Sequence, residues 1–183
     1  MTLVRAAAWP LLLATALLLM TGCAVVPKTG PAPADEPLSG RLSVRVEGVA
    51  GAAARSLSAS FELQGDAQNG SLNLATPLGT VLAQARWAPR LVVLATPQGE
   101  STFADLDALT REVLGEPVPV AALFDWLRGR PWPGAASTVL VPATEPGFRQ
   151  LGWAVNLARF DKSAVTAQRE QAPAVTVRAQ LDR

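Results

Sequence analysis

Cys23 is the only cysteine among 183 residues, and there is no histidine. These two facts settle most of the chemistry the chain can do. Without histidine there is no Ser-His-Asp or Cys-His relay, and most zinc sites lose their usual ligand. The carboxylates left as candidate acids or bases are chiefly Asp105, Asp107, Glu112, Glu116 and Asp125. Most fall at helix termini or on polar helix faces, where capping and solvation account for them. No glycine loop with phosphate-binding spacing and no metal-ligand spacing occurs. The inventory points away from an enzyme, and neither cofactor nor metal is expected.

Cys23 itself is best read from what precedes it. Arg5 is the one basic residue of a short amino-terminal region, and an apolar run from Ala6 to Met20 follows, broken by Pro10 and Thr15. The run is too short to span a bilayer, which takes about 20 apolar residues with suitable flanks. It ends Leu19-Met20-Thr21-Gly22-Cys23, similar to the cleavage site of a bacterial lipoprotein signal, with Met20 where leucine is usual. Residues 1–22 are therefore expected to be a signal peptide. A lone thiol could be buried or form an intermolecular disulfide. Next to such a signal, a lipid-attachment site explains it better, because a thiolate is the nucleophile that accepts the lipid group. Each buried CH₂ is worth about 0.8 kcal/mol, so two or three acyl chains anchor a protein where one is marginal. Ala24 follows, not the aspartate that commonly retains such proteins at the inner membrane; by analogy this points to the outer membrane. The stretch through Pro37 is rich in Pro, Gly and Ala and reads as a tether. Residues 23–37 are thus the expected lipidated terminus and linker, and 38–183 the folded domain.

Without residues 1–22 the chain is formally neutral, with 15 basic and 15 acidic residues. No basic patch interleaves with the five tryptophans, so nucleic acid is not an expected partner. Charge is sparse, 17% of residues against a typical value of about 25%.

The elements that must position any function follow from periodicity. Ser39–Glu47 and Arg55–Gln64 alternate apolar and polar, as strands do, with Leu57, Ala59, Phe61 and Leu63 sharing one face. Gly70–Ala75 and Val81–Trp87 form a hairpin across Thr76-Pro77-Leu78-Gly79-Thr80. Leu72 and Leu74 face one way, as do Val81, Ala83, Ala85 and Trp87. Pro77 and Gly79 suit a type I turn, but leucine at its centre is unusual. From the hairpin alone, an incidental exposed apolar residue is the favoured reading of Leu78. Arg90–Ala95 and Glu100–Phe103 are further strands. The period then changes. Asp105 is placed to cap a helix reaching Leu114, stopped by Gly115. Pro119 opens a second helix over Val120–Arg128 with Val120, Leu123, Phe124 and Leu127 on its apolar face and Trp126 near the edge. Strands resume at Thr138–Val141, within Phe148–Phe160, and at Ala174–Leu181, with Asp161–Gln168 as a polar connection. The expected fold is mainly β (α+β), an antiparallel meander able to curl into a half-barrel, with two helices inserted. Small inward residues such as Ala59, Ala83, Ala85 and Ala179 leave volume that the helices either fill or cover.

In order, the segments GRLSVRV, SASFELQ, TPLGTVLAQARW, FDWLRGRP and GWAV, with the lipid-attachment signal, resemble the LolB family of outer-membrane lipoproteins. The resemblance covers Cys23 nearly to the C-terminus. It implies an unclosed antiparallel β half-barrel with a short two-helix lid over an apolar cavity. Phe61, Leu74, Ala83, Ala85, Trp87, Leu123, Phe124 and Leu127 are the candidate cavity and lid residues. It implies a receptor that accepts lipoproteins from the periplasmic carrier LolA, holds their acyl chains and inserts them into outer-membrane lipid. It assigns Leu78, with Pro77 and Gly79, to the membrane-inserting loop. Cys23 argues for the anchored receptor over the soluble carrier. A lipid-anchored, periplasm-facing monomer is expected. The alternative is an envelope assembly-factor lipoprotein that binds a partner protein through an apolar concave surface.

Overall fold

In a computed structural model the described residues are 36–182, apart from 50, 52 and 142–144. The expected signal peptide, Cys23 and most of the tether lie outside them. Eleven strands form one antiparallel sheet: β1 Leu38–Val46, β2 Arg55–Gly65, β3 Gly70–Ala75, β4 Val81–Ala88, β5 Leu91–Thr96, β6 Gly99–Phe103, β7 Ser137–Val139, β8 Gly147–Gln150, β9 Trp153–Asn156, β10 Ala164–Arg169 and β11 Val175–Leu181. Two helices, α1 Leu106–Leu114 and α2 Val120–Trp126, lie between β6 and β7.

The spatial order is β6-β5-β4-β3-β2-β1-β11-β10-β9-β8-β7. β6 and β7 are the two outer edges and do not pair, so the sheet is not closed. They are also consecutive in sequence, so the segment joining them must cross the open side of the curled sheet. That segment carries both helices, so the topology itself lays them over the inner face. β1 pairs with both β2 and β11, in continuous register from Val46↔Val175 to Gly40↔Leu181. The first and last strands thus seal the middle of the sheet.

Alternation sets the faces. Val44, Val46, Phe61, Leu63, Val155, Val177 and Leu181 point inward and are buried, while Arg45, Glu62 and Arg178 point outward. Trp87 is buried opposite Gly70, where a Cβ would meet the indole ring at 2.5 Å. Glycine there lets the ring lie flat on backbone.

α1 starts where Asp105 Oδ1 accepts from the Ala108 N–H at 2.7 Å, and it ends at Gly115 with φ 83°. Both ends follow the sequence. Three expectations differ, and one strand is additional. Val81 leaves the inward face because the register slips between Leu74↔Ala83 and Ala75↔Val81, a β-bulge that leaves Leu82 without a partner. Phe148–Phe160 holds the expected strand as β9, and an additional strand, β8, pairs with it in a hairpin turned by Leu151 (φ 53°) and Gly152 (φ 78°). The supposed connection 161–168 contains most of β10. Trp126, placed near a helix edge, has none of its surface exposed.

Candidate functional site

Two features stand out: an exposed turn and a covered apolar cavity. The β3–β4 turn is closed by the Gly79 N–H donating to the Thr76 carbonyl at 2.9 Å. The Thr76 N–H donates to the Thr80 carbonyl at 2.8 Å, and the Thr80 N–H to Thr76 Oγ1 at 3.1 Å. Gly79 adopts φ 86°, and a Cβ there would meet nothing within 4 Å. Glycine is needed for backbone freedom, not for space. None of these bonds uses the side chain between them. Leu78 is 95% exposed, the highest value among the exposed large apolar residues. Val81, on the returning strand, is 47% exposed.

The cavity lies between the sheet and the helices and has a volume of about 90 Å³. Leu42, Val44, Leu57, Phe61, Leu63, Leu72 and Leu74 form its floor. α1 contributes Leu109, Thr110, Val113 and Leu114; Val118 comes from the link; and Val120, Leu123 and Leu127 come from α2 and the turn after it. Thr110 is the one polar member, and its hydroxyl is engaged. It donates toward the Leu106 carbonyl at 3.1 Å and accepts from the Val118 N–H at 3.0 Å. The wall therefore offers a ligand only apolar contact. An apolar cavity of about 150 Å³ takes one benzene. At about 90 Å³ this one is smaller still, and anything larger must displace part of its wall.

The two helices are held unequally. α2 ends on a polar clamp. Trp126 Nε1 donates to Gln150 Oε1 at 2.7 Å, and the same oxygen accepts from the Trp132 N–H at 2.9 Å. Gln150 Nε2 donates to the carbonyls of Trp132 and Ala135, both at 2.7 Å. Gln150 is 2% exposed and uses both ends of its amide. Around it, Trp126 packs against Phe148 and Trp153 at centroid distances of 6.5 and 6.0 Å. Arg128 Nη1 donates to the Phe124 carbonyl at 2.8 Å, and Nη2 to that of Glu36 at 2.9 Å. The end of the tether is thereby tied to the end of α2. Among the described residues, α1 has only apolar packing, through Leu109 and Leu114, and the α1–α2 link. In that link Glu116 Oε2 accepts from Arg169 Nη2 at 2.6 Å, and Arg169 lies over the Trp153 ring.

Of the candidate cavity residues, the structure brings Phe61, Leu74, Leu123 and Leu127 together around the cavity. Ala83, Ala85, Trp87 and Phe124 do not line it. Trp87 and Phe124 pack edge to face at 5.8 Å, and Trp87 Nε1 donates to the Asp66 carbonyl at 2.9 Å. The candidate carboxylates have structural partners where they have any. Asp105 caps α1, Asp125 pairs with Arg130 at 2.5 Å, and Glu116 pairs with Arg169. Loss of water around the Asp107 carboxyl, and then the nearby Asp105, raises its pKa, with Arg111 offsetting part of the rise. Sequence reasoning missed Gln150. Its signal is a glutamine at an inward position of an alternating strand, which has to find partners.

The chain is similar to known proteins over most of its length. The profile of one protein family, described as "Outer membrane lipoprotein LolB", matches residues 37–180. A Bordetella pertussis protein named "Outer-membrane lipoprotein LolB" is 35% identical over 151 residues, 79% of this chain and 75% of that protein. Proteins of the same name from Chromobacterium violaceum and Cupriavidus pinatubonensis are also similar. The first is 31% identical over 155 residues, 81% of each chain. The second is 33% identical over 181 residues, 91% of this chain and 84% of the relative.

Proposed function

The chain belongs to the LolB family of outer-membrane lipoproteins, and on that premise we propose that it is a receptor and insertase for other lipoproteins. It acts at the outer membrane in lipoprotein localisation. It is held there, facing the periplasm, by lipid on Cys23, and it works as a monomer. The soluble carrier LolA hands it a lipoprotein. The acyl chains enter the space between sheet and helices, and the Pro77-Leu78-Gly79 turn meets the bilayer, where the chains leave. The observation that carries this reading is the cavity wall, apolar throughout except for one engaged hydroxyl. Such a wall suits hydrocarbon, and burial of each CH₂ contributes about 0.8 kcal/mol. Transfer between proteins needs only an affinity difference, and about 1.4 kcal/mol gives a tenfold preference. One or two more methylenes buried here than in the carrier would supply it. Release is downhill because a bilayer buries whole chains.

The test is depletion of the protein while an unrelated outer-membrane lipoprotein is followed by fractionation. That lipoprotein should accumulate outside the outer membrane. If it still arrives there, the receptor reading fails, and the assembly-factor reading, in which the concave surface binds a partner protein, takes its place.

A further inference from the structure

Among the described residues, both α-helices lie over the inner face, and neither α1 nor α2 covers the other face of the sheet. Across it Ser58, Ser43, Arg178, Thr166 and Asn156 lie side by side on β2, β1, β11, β10 and β9. Ser60, Arg41, Gln180 and Ala164 form the next row. Long side chains thus stand over a floor of small ones. The result is a groove of about 490 Å³, bounded by Pro77 on the β3 side and by Asn156 and Arg159 on the β9 side.

Three guanidiniums line this groove, those of Arg41, Arg159 and Arg178, and no carboxylate does. All three residues are exposed, and among the described residues none is in an ion pair. The carboxylates flanking the two rows have other partners. Glu62 accepts from Gln64 Nε2 at 2.5 Å and from Asn73 Nδ2 at 3.5 Å. Asp182 accepts from Ser39 Oγ at 3.4 Å, Glu47 pairs with Arg45 at 2.7 Å, and Glu145 accepts from Asn156 Nδ2 at 3.4 Å. Guanidinium groups match phosphate oxygens in a two-point geometry, and hydroxyls of the kind Ser43, Ser58, Ser60 and Thr166 carry can donate to the same oxygens.

Position selects the occupant. Pro77 is both a wall of the groove and the neighbour of Leu78, so the cationic groove and the exposed apolar tip share one flank of the molecule. An apolar insertion point beside basic side chains is how peripheral proteins engage an anionic bilayer surface. We propose that the groove receives the phosphate-bearing headgroups of anionic lipids when the turn enters the membrane, and so fixes the tilt at which the cavity meets the bilayer. This deepens the proposed function and rests on its reading of the turn.

The test places an environment-sensitive fluorescent amino acid at position 78 of the full mature chain and reads insertion of the tip on vesicles. Phosphatidylcholine alone is compared with phosphatidylcholine containing phosphatidylglycerol, at low salt. Each basic side chain at an anionic surface changes partition about fivefold. The pair Arg41→Gln/Arg178→Gln should therefore cut the gain due to phosphatidylglycerol by about 25-fold and change nothing on neutral vesicles. The pair Arg41→Lys/Arg178→Lys keeps the charge and gives up the two-point contact, so it should retain at most part of the gain; a response equal to wild type would show that the guanidinium geometry plays no part and overturn the groove as a phosphate site. Arg149→Gln, on the outer face of β8, should have no effect, and an equal loss there would reduce the effect to net charge and overturn the groove. Soluble glycerol phosphate should not displace the protein from vesicles. If it does, the groove is a soluble-anion site and the lipid assignment fails. If the Gln pair responds like wild type, the groove inference falls while the receptor reading, measured by cargo transfer, stands. A labelled tip that stays in water on every vesicle, in a chain with all its arginines, overturns the reading of the turn itself.

Discussion

Replacing Leu78 by glutamate separates holding a cargo from delivering it. The side chain is 95% exposed and takes no part in the bonds that close the turn. Folding stability should therefore change by no more than about 0.5 kcal/mol, as for other surface substitutions. The cavity is lined by other residues, so cargo binding should be unchanged. Moving a leucine side chain from water into hydrocarbon contributes about 1.5–3 kcal/mol. At about 1.4 kcal/mol per decade, losing it lowers the membrane-engaged population about 10- to 150-fold. A carboxylate adds its own desolvation cost, so these figures are a floor. The assay loads the full protein with a fluorescent acylated lipoprotein, adds vesicles and follows transfer, with cargo binding and thermal melting measured in parallel. Delivery at the wild-type rate would refute the reasoning. So would a delivery defect matched by an equal loss of binding, because the turn would then belong to the cavity.

Other substitutions test the framework around the two features. Gln150→Leu keeps the volume but strands the buried Trp126 N–H, at about 1–3 kcal/mol, besides the groups of Trp132 and Ala135; urea unfolding should show a loss of at least that size, and wild-type stability would mean the clamp contributes nothing. Gly79→Ala meets no neighbour but must hold φ 86°, so a loss of about 1–2 kcal/mol by denaturant unfolding is expected from backbone strain alone. The raised pKa of Asp107 means that its ionised form opposes folding at neutral pH, and that this penalty is relieved as pH falls through the folded-state pKa. Asp107→Asn should therefore melt higher than wild type at pH 7, with the difference shrinking on acidification toward the ordinary carboxylate range; a gap that widens on acidification would contradict the sign. Native-state hydrogen exchange should find α1 amides opening below the global unfolding free energy and α2 amides opening near it, and equal protection would remove the distinction between the helices.

How much of this could be read from the residues depended on which physical signal dominated locally. β1, β2 and the β3–β4 hairpin alternate strictly, and their faces follow from that alone. Asp105 and Gly115 mark the ends of α1 through chemistry that depends on neighbours close in sequence. The β8–β9 turn was missed because a leucine sits at φ 53°, where asparagine, aspartate or glycine is the usual signal. β10 was missed because its inward residues are only Val165 and Ala167, set among Thr166, Gln168 and Arg169. Trp126 was placed at an edge because a helical wheel does not show that its N–H meets Gln150, 24 positions later. At the site, the apolar faces of Phe61, Leu74, Leu123 and Leu127 were legible, but which of them enclose space was not. Ala85 and Phe124 are as buried as Phe61 and do not line the apolar cavity, because enclosure depends on how far the helices stand off the sheet. The protrusion of Leu78 is likewise a property of the whole body.

On the proposed function, the packing of α1 over the cavity sets a condition on what can enter it. α2 is fixed by the Gln150 clamp and by Arg128, so the element free to yield is α1, whose buried side chains include Leu109 and Leu114. Exposing two leucines costs about 3–6 kcal/mol. At about 0.8 kcal/mol for each methylene buried, an entering chain must place about four to eight of them in contact before opening breaks even. The leucines of α1 thus compete with the cargo for the same floor of Leu42, Leu57 and Phe61. On the proposed function, a long acyl chain wins that competition and a short or single-turn apolar group does not, so the cavity stays shut to most apolar side chains in the periplasm. On the same proposal, the balance reverses at the membrane without an external energy source. The bilayer takes the whole chain, and α1 recovers its own burial as the cavity empties. On that reading the same two leucines both set the threshold for entry and lower the cost of release.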